Sequence, residues 1–329
     1  MIDPYYSDSH VTIFHGDCRE VLPQMDAASI HTCVTSPPYF GLRDYGGQAQ
    51  IGLEPTPAAY VAEQCAVFDM VRRVLRQDAT CWLNLGDSYS TNPGNGRGGE
   101  TNDGGVPHRS GVDKTACGLA SKQLIGIPWR VAFALQDAGW YLRSDIIWAK
   151  GNPMPESVTD RPTKAHEYLF LLAKAEKYYY DADAIREPHT DPRVVNGVWT
   201  GGNRGRSAPG YVPQNQAWNS ADGERGGLFM RDREYNPAGR NKRSVWNVNT
   251  QPYTGAHFAV FPEKLIEPCI LAGCPAGGIV LDPFAGSGTT GRVAKRLGRR
   301  AILIEQNEAY CDMAASSLTQ QAMQFEVVP

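Results

Sequence analysis

Short apolar runs alternate with amphipathic segments along most of the 329-residue chain. Runs rich in β-branched and aromatic residues predict strands at 11–17, 30–34, 79–85, 141–148, 166–172, 278–281 and 301–305. Apolar positions at helical spacing predict helices at 19–22, 57–75, 126–138, 263–271, 291–297 and 309–318. Strands that alternate with helices in this way are typical of a doubly wound, mostly parallel α/β sheet with helices on both faces.

Three polar segments interrupt this pattern because they offer little to bury. Residues 87–120, rich in Gly, Asn and Ser, predict a long mobile loop, and residues 41–56 predict a shorter flap. Residues 186–250 contain ten Lys and Arg against six Asp and Glu, so they carry a net charge of +4, whereas the remainder carries about -7. Aromatic residues are interleaved with these cations, which favours a surface that contacts phosphates and bases. A solvated, irregular insertion is the alternative.

The turn that follows the strand at 30–34 carries the most distinctive chemistry. Pro37 and Pro38 end the strand because neither can donate a backbone hydrogen bond to a sheet. The turn then presents the Ser36 hydroxyl, the prolyl carbonyls and the Tyr39 ring where open α/β sheets bind ligands. Acceptors directed at both hydrogens of an exocyclic amino group would make its nitrogen more nucleophilic, and Tyr39 could stack on a flipped base. A plain Pro-Pro turn is the alternative for this segment considered alone.

A glycine-rich loop at 282–290 lies between a predicted strand and a predicted helix. Such a unit places backbone N–H groups and a helix N-terminus around a polar or anionic ligand. From Gly286 onward the glycines have the spacing of a dinucleotide fingerprint, G-x-G-x-x-G, which taken alone is a weak signal. Arg292 stands where a phosphate loop requires Lys, so a nucleoside triphosphatase is nearly excluded.

S-adenosylmethionine is the third candidate ligand of this loop, and three carboxylates favour it. Glu305 ends the next strand. Its separation along the sequence from the glycine loop is about that of an acid that contacts a ribose diol in nucleotide-binding folds. Asp17 ends the first strand and could bind the adenine amino group. Asp282, at the head of the loop, could orient the methionine end.

Composition narrows the class of protein. The chain is 42% hydrophobic and 20% charged, which is ordinary for a globular protein. It has no run of eighteen apolar residues and no signal pattern at its N-terminus, so a cytoplasmic protein is expected. The eight cysteines are scattered without a C-x-x-C pair and predict reduced thiols. The histidines lack the spacing of metal ligands, so no metal site is expected.

Together these residues resemble the β-type amino-group DNA methyltransferases, which methylate adenine N6 or cytosine N4. Residues 35–39 resemble the catalytic motif of that family, residues 282–290 its cofactor loop, and Glu305 the acid that follows the loop. Asp17 is similar to the adenine-side acid, and residues 257–265 are similar to the segment that contacts the methionine moiety. The catalytic motif precedes the cofactor loop with a variable segment between them, which is the β-type order.

The run at 152–158, Arg161 and the pair His166-Glu167 are also similar to segments of these enzymes. The resemblance implies a seven-stranded methyltransferase sheet and methyl transfer from S-adenosylmethionine to a flipped adenine or cytosine in a specific DNA sequence. Serine at position 36 is commoner among cytosine-N4 enzymes and aspartate among adenine-N6 enzymes, with exceptions in both directions, so the target base remains open.

The resemblance also assigns residues to roles. The expected catalytic residues are Ser36, Pro37, Pro38 and Tyr39. The expected cofactor-binding residues are Asp17, Phe258, Phe261, Lys264, Asp282, Pro283, Phe284, Ala285, Gly286, Ser287, Gly288, Thr289, Thr290 and Glu305. DNA contacts are expected from Arg225, Arg231, Arg233, Arg240, Lys242 and Arg243.

The expected organisation is a catalytic half at 1–185, a target-recognition segment at 186–250, a cofactor-binding half at 251–319 and a tail at 320–329. Double-stranded DNA is the expected partner, and a homodimer and a cognate restriction endonuclease are further expectations. The expected setting is bacterial or phage-encoded, cytoplasmic and associated with the nucleoid. Methylation of RNA or of a protein side chain, and a catalytically silent DNA-binding homologue, are the alternatives.

Overall fold

A computed structural model describes residues 2–42, 50–90, 118–189, 236–250 and 261–325, together with two short strands at 194–195 and 198–199. The strands are β1 (Tyr6–Ser7), β2 (Val11–His15), β3 (Ile30–Thr35), β4 (Leu75–Leu85), β5 (Tyr141–Ala149), β6 (His166–Ala173), β7 (Val194–Val195), β8 (Val198–Trp199), β9 (Val245–Asn247), β10 (Ile279–Asp282) and β11 (Arg300–Glu305). The α-helices are α1 (Cys18–Val21), α2 (Pro57–Val74), α3 (Ile127–Asp137), α4 (Glu263–Gly273), α5 (Thr289–Arg296) and α6 (Glu308–Phe325).

Nine strands form the main sheet, in the order β1-β2-β11-β10-β3-β4-β6-β5-β9. The strands from β2 to β4 in this order are all parallel, whereas β6 is antiparallel to both of its neighbours. The predicted doubly wound, mostly parallel sheet is therefore confirmed. The predicted count of seven strands is wrong, because β1 and β9 extend the seven central strands at the two edges. Each edge strand has only two or three residues, too few for an alternating pattern to be visible in the sequence.

Helix α2 illustrates how local sequence sets an element boundary. The Thr56 hydroxyl accepts a hydrogen bond from the Ala59 N–H at 3.1 Å, and Pro57 occupies the first turn, where its missing N–H costs nothing. One face of the helix, which includes Tyr60 and Phe68, is fully buried. The chain then passes directly into β4, so the predicted helix at 57–75 is confirmed to within one residue.

Strand β4 lies near the middle of the sheet and is buried along most of its length. Cys81, Trp82 and Leu83 follow one another with no exposed surface. Consecutive buried residues, rather than alternating ones, are expected of a central strand that is covered on both faces. The apolar run at 79–85 was predicted as a strand, and β4 also includes the four residues before it.

Two compact units divide the chain, one of Met1–Asp181 with Arg243–Pro329 and the other of Ala182–Lys242. The first unit holds the whole nine-stranded sheet. The second overlaps the predicted recognition segment, whereas strand β9, near the end of that segment, belongs to the main sheet. Most of the predicted mobile loop, at 91–117, and part of the predicted flap, at 43–49, lie outside the described residues.

Among the helices that the structure describes, none has the length and apolar character needed to cross a membrane. Seven cysteines are free thiols, six of them buried, and Cys117 lies outside the described ranges.

Candidate active site

The carboxyl ends of β2, β11, β10 and β3 lie next to one another along one edge of the sheet. The direction of winding reverses between β10 and β3, because the chain continues from β3 to β4 on one side and from β10 to β11 on the other. Open α/β sheets bind ligands at such a switch point. The predicted catalytic turn follows β3 and the predicted glycine loop follows β10, so the sheet brings the two motifs together.

Asp282 links the catalytic turn to the glycine loop. The Thr35 hydroxyl donates to one carboxylate oxygen at 2.6 Å, and the Thr290 hydroxyl donates to the other at 2.6 Å. The Phe284 N–H also donates, at 3.1 Å. The carboxyl is fully buried, and this burial raises its pKa to about 6 despite the three donors. Both oxygens are engaged within the protein, so the direct effect of Asp282 is to fix the loop against β3. Its predicted contact with the methionine end of the cofactor stays a prediction.

The catalytic turn presents fewer acceptors than the sequence suggests. The Tyr60 hydroxyl, from α2, donates to the Pro38 carbonyl at 2.9 Å, so that carbonyl is already engaged. No donor within the described part of the chain reaches the Pro37 carbonyl. The Ser36 hydroxyl and the Pro37 carbonyl therefore remain as the acceptors of the turn.

The ring of Tyr39 lies against the backbone just beyond β4. A Cβ atom at Gly86 would come within 2.5 Å of the ring, which no real side chain tolerates. The Tyr39 hydroxyl donates to the Glu167 carboxylate at 2.6 Å. Burial and the charge of Glu167 raise the pKa of Tyr39 well above its ordinary value, so the hydroxyl keeps its proton and acts as a donor.

The glycine loop has the backbone and the polar groups that a ligand site needs. Gly286 and Gly288 have positive φ angles of 52° and 79°, which favour glycine. A Cβ at Gly286 would meet nothing within 4 Å, so the loop is open there, whereas one at Gly288 would collide with Ala314 of α6. The hydroxyl of Ser287 is buried and has no partner among the described residues. An unsatisfied hydroxyl beside an open backbone fits the polar methionine end of S-adenosylmethionine.

Glu305 and Asp17 lie close together because β2 and β11 are paired up to His15 and Glu305. The Glu305 carboxylate accepts from the Gly286 N–H at 2.7 Å and from the Asn307 N–H at 2.8 Å. Burial raises its pKa above the ordinary value, although these N–H groups oppose the shift.

Asp17 caps the N-terminus of α1 and accepts from the Arg19 Nε at 3.0 Å. Burial would raise its pKa, but Arg19 outweighs burial and lowers it, so this acid is charged.

The remaining predicted cofactor residues are distributed around the same loop. Pro283, Phe284 and Ala285 lead from β10 to the glycines, and Thr289 and Thr290 open α5. Phe261 is partly buried just before α4, and Lys264 is exposed in its first turn. Phe258 lies outside the described residues.

Three of the predicted DNA-binding residues are described. Arg240 and Lys242 both pair with Glu187 inside the smaller unit, at 3.2 and 3.6 Å. Arg243 begins the second stretch of the larger unit, and its carbonyl accepts from the indole of Trp246 at 2.6 Å. Arg225, Arg231 and Arg233 lie outside the described residues.

Several residues of the site were not identified from the sequence. Asn84, Lys150 and Tyr60 contact the turn or its partners, and Gly86 makes room for the Tyr39 ring. Glu167 was noted only as part of a pair similar to the family. The signal in the sequence is that similarity, together with its position at the start of the predicted strand at 166–172. In the described part of the chain, no group of three or more His, Cys, Asp or Glu side chains could hold a metal ion.

A sequence model of the N6/N4 DNA methylases matches residues 30–316, which is most of the chain. The chain belongs to this family. Among its relatives are the type II methyltransferases M.XycI of Xanthomonas campestris pv. cyanopsidis, 47% identical over 94% of this chain and 88% of the relative, and M.Cfr9I of Citrobacter freundii, 45% identical over 93% and 87%. M.SmaI of Serratia marcescens is 44% identical over 92% of this chain and 88% of its own length.

Two solved structures have the same fold as this N6/N4 DNA methylase. The PvuII DNA methyltransferase, specific for cytosine N4, superposes with a TM-score of 0.60 at 19% identity over 95% of this chain and 87% of the other. A Thermus thermophilus protein assigned as a DNA modification methylase, solved with S-adenosyl-L-methionine, gives 0.54 at 22% identity over 94% and 95%. At these identities the likeness concerns the fold alone.

The protein is therefore a site-specific, S-adenosylmethionine-dependent DNA methyltransferase of the family that methylates the exocyclic amino group of adenine or cytosine in double-stranded DNA. The order of its motifs and its doubly wound sheet agree with that activity.

Proposed function

We propose that the target is the N4 amino group of cytosine and that Ser36, Pro37 and Tyr39 form the pocket that receives the flipped base. When bound, S-adenosylmethionine would supply an electrophilic methyl group to the exocyclic nitrogen: the bond from the methyl group to sulfur breaks as the bond to nitrogen forms, and the nitrogen then loses one proton. The Ser36 hydroxyl oxygen and the Pro37 carbonyl accept the two hydrogens of the amino group, which makes its lone pair available. The Tyr39 ring stacks on the base after it leaves the duplex. The observation that carries the proposed pocket is that no donor among the described residues reaches the Pro37 carbonyl beside Ser36, whereas Tyr60 engages the Pro38 carbonyl.

The choice of cytosine rests on residue 36. Serine stands at this position more often in cytosine-N4 members of the family, and aspartate in adenine-N6 members. A neutral hydroxyl is a sufficient acceptor here because Pro37 supplies a second one on the same turn. The cofactor residues in this proposal are Glu305 and Asp17 for the nucleoside and the glycine loop with Ser287 for the methionine end, since burial and an unsatisfied hydroxyl characterise these positions.

We further propose that residues 186–250 recognise the DNA sequence. Their net charge of +4, against a negative remainder, supports a phosphate-contacting role. We also propose a cognate restriction endonuclease, which the type II names of the relatives support. A homodimer and nucleoid association are proposed on the family resemblance. Light scattering of the purified protein tests the dimer, since a monomer at micromolar concentration would contradict it. Endonuclease digestion of plasmids methylated by the protein would identify the recognition sequence.

The deciding experiment identifies the product base. The protein is incubated with S-adenosylmethionine and unmethylated plasmid DNA, and the DNA is then digested to nucleosides for mass spectrometry. The expected product is N4-methylcytosine. N6-methyladenine would overturn the choice of base, and no methylated base, with cofactor binding confirmed, would direct attention to RNA or protein substrates.

The pocket itself is tested by replacing the stacking residue. Tyr39→Ala should reduce turnover by orders of magnitude and leave the dissociation constant of S-adenosylmethionine unchanged, because the ring contacts the base and not the cofactor. Phe133→Ala removes an exposed aromatic ring from α3 and serves as the matched control, with unchanged turnover. Equal turnover of Tyr39→Ala and wild type would contradict the pocket.

A further inference from the structure

A second group of polar side chains lies behind the catalytic turn, where strand β6 begins. Because β6 runs antiparallel to β4 and β5, its first residues meet the carboxyl ends of those strands. Glu167 is directly paired with Trp148 of β5, and Lys150 follows β5 immediately. The antiparallel insertion therefore delivers a carboxylate and an ammonium to the edge of the sheet that carries Tyr39.

These groups form a connected hydrogen-bond network. One oxygen of Glu167 accepts from the Tyr39 hydroxyl at 2.6 Å and from the amide of Asn84 at 2.9 Å, and the other pairs with Lys150. The Asn84 amide also donates to the Tyr39 hydroxyl oxygen. The Ser36 hydroxyl donates to the same oxygen at 3.3 Å. Glu167 is thus connected to Ser36 through the hydroxyl of Tyr39.

The carboxylate is charged although it is nearly buried, with 14% of its side chain exposed. Burial alone would raise the pKa of Glu167, but Lys150, Tyr39 and Asn84 outweigh burial and lower it. Lys150 is itself held 4.5 Å above the ring of Trp148, so the ammonium has little freedom to leave the pair.

The charge of Glu167 determines the direction of the hydrogen bonds. An ionised carboxylate can only accept, so the Tyr39 hydroxyl must direct its proton at Glu167. The Tyr39 oxygen is then left as an acceptor, and the Ser36 hydroxyl directs its own proton toward it. The Asn84 amide donates to the Ser36 oxygen at a long 3.4 Å. With the Ser36 proton turned away, the oxygen has a second lone pair that is available to an incoming amino group.

We propose that Glu167 is a positioning residue for methyl transfer, which acts through the Tyr39 hydroxyl to keep Ser36 an acceptor and to hold the Tyr39 ring against Gly86. This inference rests on the proposed roles of Ser36 and Tyr39 and goes beyond them. Glu167 does not itself contact the base. It fixes the orientation of the two groups that do.

Glu167→Gln tests the proposal because it keeps the shape of the side chain and replaces one acceptor oxygen with an NH2 group, which donates. Lys150 will pair with the amide oxygen, so the amide NH2 faces Tyr39 and Asn84, which are donors. The Tyr39 hydroxyl must then turn toward Ser36, and the Ser36 proton points at the target amino group. The single-turnover rate of methyl transfer should fall about 100-fold, as for other losses of positioning in active sites. The dissociation constant of S-adenosylmethionine, measured by calorimetry, should stay within about twofold, because the cofactor loop is untouched.

Asp8→Asn is the matched control. Asp8 also pairs with a lysine, Lys295, at 2.6 Å. It precedes β2 and so lies at the amino ends of the parallel strands, whereas the site lies at their carboxyl ends. The control should methylate DNA at the wild-type rate. An equal loss of rate in both variants would indicate a general effect of losing an ion pair and would overturn the proposal.

A double-mutant cycle with Tyr39→Phe separates positioning from a merely structural role. Tyr39→Phe keeps the ring against Gly86 and removes the hydroxyl through which Glu167 acts, so the rate should fall about tenfold. In that background Glu167→Gln should change the rate by no more than about twofold, because residues that act as a unit are not additive. Independent effects of the two substitutions, which multiply in the double variant, would overturn the proposal. If Glu167→Gln does not fold, a wild-type rate for Tyr39→Phe would overturn it as well. A wild-type enzyme without activity on DNA would instead contradict the function proposed for the site.

Discussion

Two buried carboxylates on the same edge of the sheet, Asp282 and Glu167, meet the cost of burial in different ways. Asp282 is surrounded by two hydroxyls and one backbone N–H, and its pKa is raised to about 6. Glu167 accepts a hydroxyl and an amide in a similar manner, but it also pairs with Lys150, and its pKa is lowered. Glu167 is also slightly exposed whereas Asp282 is not, but the main electrostatic difference between the two sites is the cation.

Neutral donors alone reduce the rise in pKa that burial causes at Asp282 but do not cancel it. At Glu167 a hydrogen-bonded ammonium adds to the neutral donors, and together they do cancel it. It also separates two tasks. Asp282 joins two backbone segments, a task that a protonated carboxyl can still perform through its remaining hydrogen bonds. Glu167 must remain an acceptor toward Tyr39, and only the charged form guarantees that.

Removing the cation should make Glu167 resemble Asp282. Lys150→Met keeps the length of the side chain and leaves the carboxylate buried without its partner, which should lower the free energy of unfolding at pH 7 by about 4 kcal/mol. The pKa of Glu167 should rise, so the loss should be smaller near pH 5, where the protonated acid is no longer a buried charge. Urea denaturation at both pH values measures this. A loss below about 1 kcal/mol at pH 7 would show that the ion pair is not what compensates burial.

Asp282 predicts a pH dependence opposite to that of wild-type Glu167, whose pKa is lowered. Its folded-state pKa of about 6 lies above the ordinary 3.8, so between these values the folded protein binds a proton that the unfolded chain does not. Stability contributed by this group therefore falls as the pH rises from 4 to 6, by up to about 3 kcal/mol. Asp282→Asn removes the ionisation, so the wild type should lose stability relative to the variant over that range. A difference that stays constant with pH would contradict the raised pKa.

The elements of the fold were predictable where the pattern is local. β3, α2 and β10 appear at or near their predicted boundaries because each has enough residues for its burial to show in the sequence. Strand β9 is not predicted from the sequence, because it has three residues and is stabilised by pairing with β5 rather than by a pattern of its own. The placement of β6 between β4 and β5 is likewise a property of the whole sheet.

The candidate site was predictable only as far as the motifs extend. The turn at Ser36 and the glycine loop have sequence signatures, and the switch point brings them together. Asn84 has no such signature, and Glu167 has only the resemblance of the His166-Glu167 pair to the family. Neither indicates a contact with Tyr39, because the two residues lie on strands distant in the chain and meet only through sheet pairing. Tyr60 has the spacing of an ordinary core residue of α2, and no periodicity discloses that its hydroxyl engages the Pro38 carbonyl.

A third carboxylate sharpens the comparison, with the smallest expected effect. Asp8 has its pKa lowered to about 2, because Lys295 and the backbone N–H groups of Val11 and His10 together outweigh the desolvation that opposes them. Its stabilising contribution is present above the ordinary pKa and is lost as the pH falls toward 2. Asp8 is more exposed than Glu167, so Asp8→Asn should cost only about 1 kcal/mol at pH 7, and this cost should shrink in 1 M salt. The cost of Lys150→Met should change less in the same salt, because the Glu167 carboxylate lies deeper in the protein than that of Asp8 and screening ions approach it less closely. Equal salt sensitivity of the two would mean that solvent reaches the Glu167 pair as freely as it reaches Asp8.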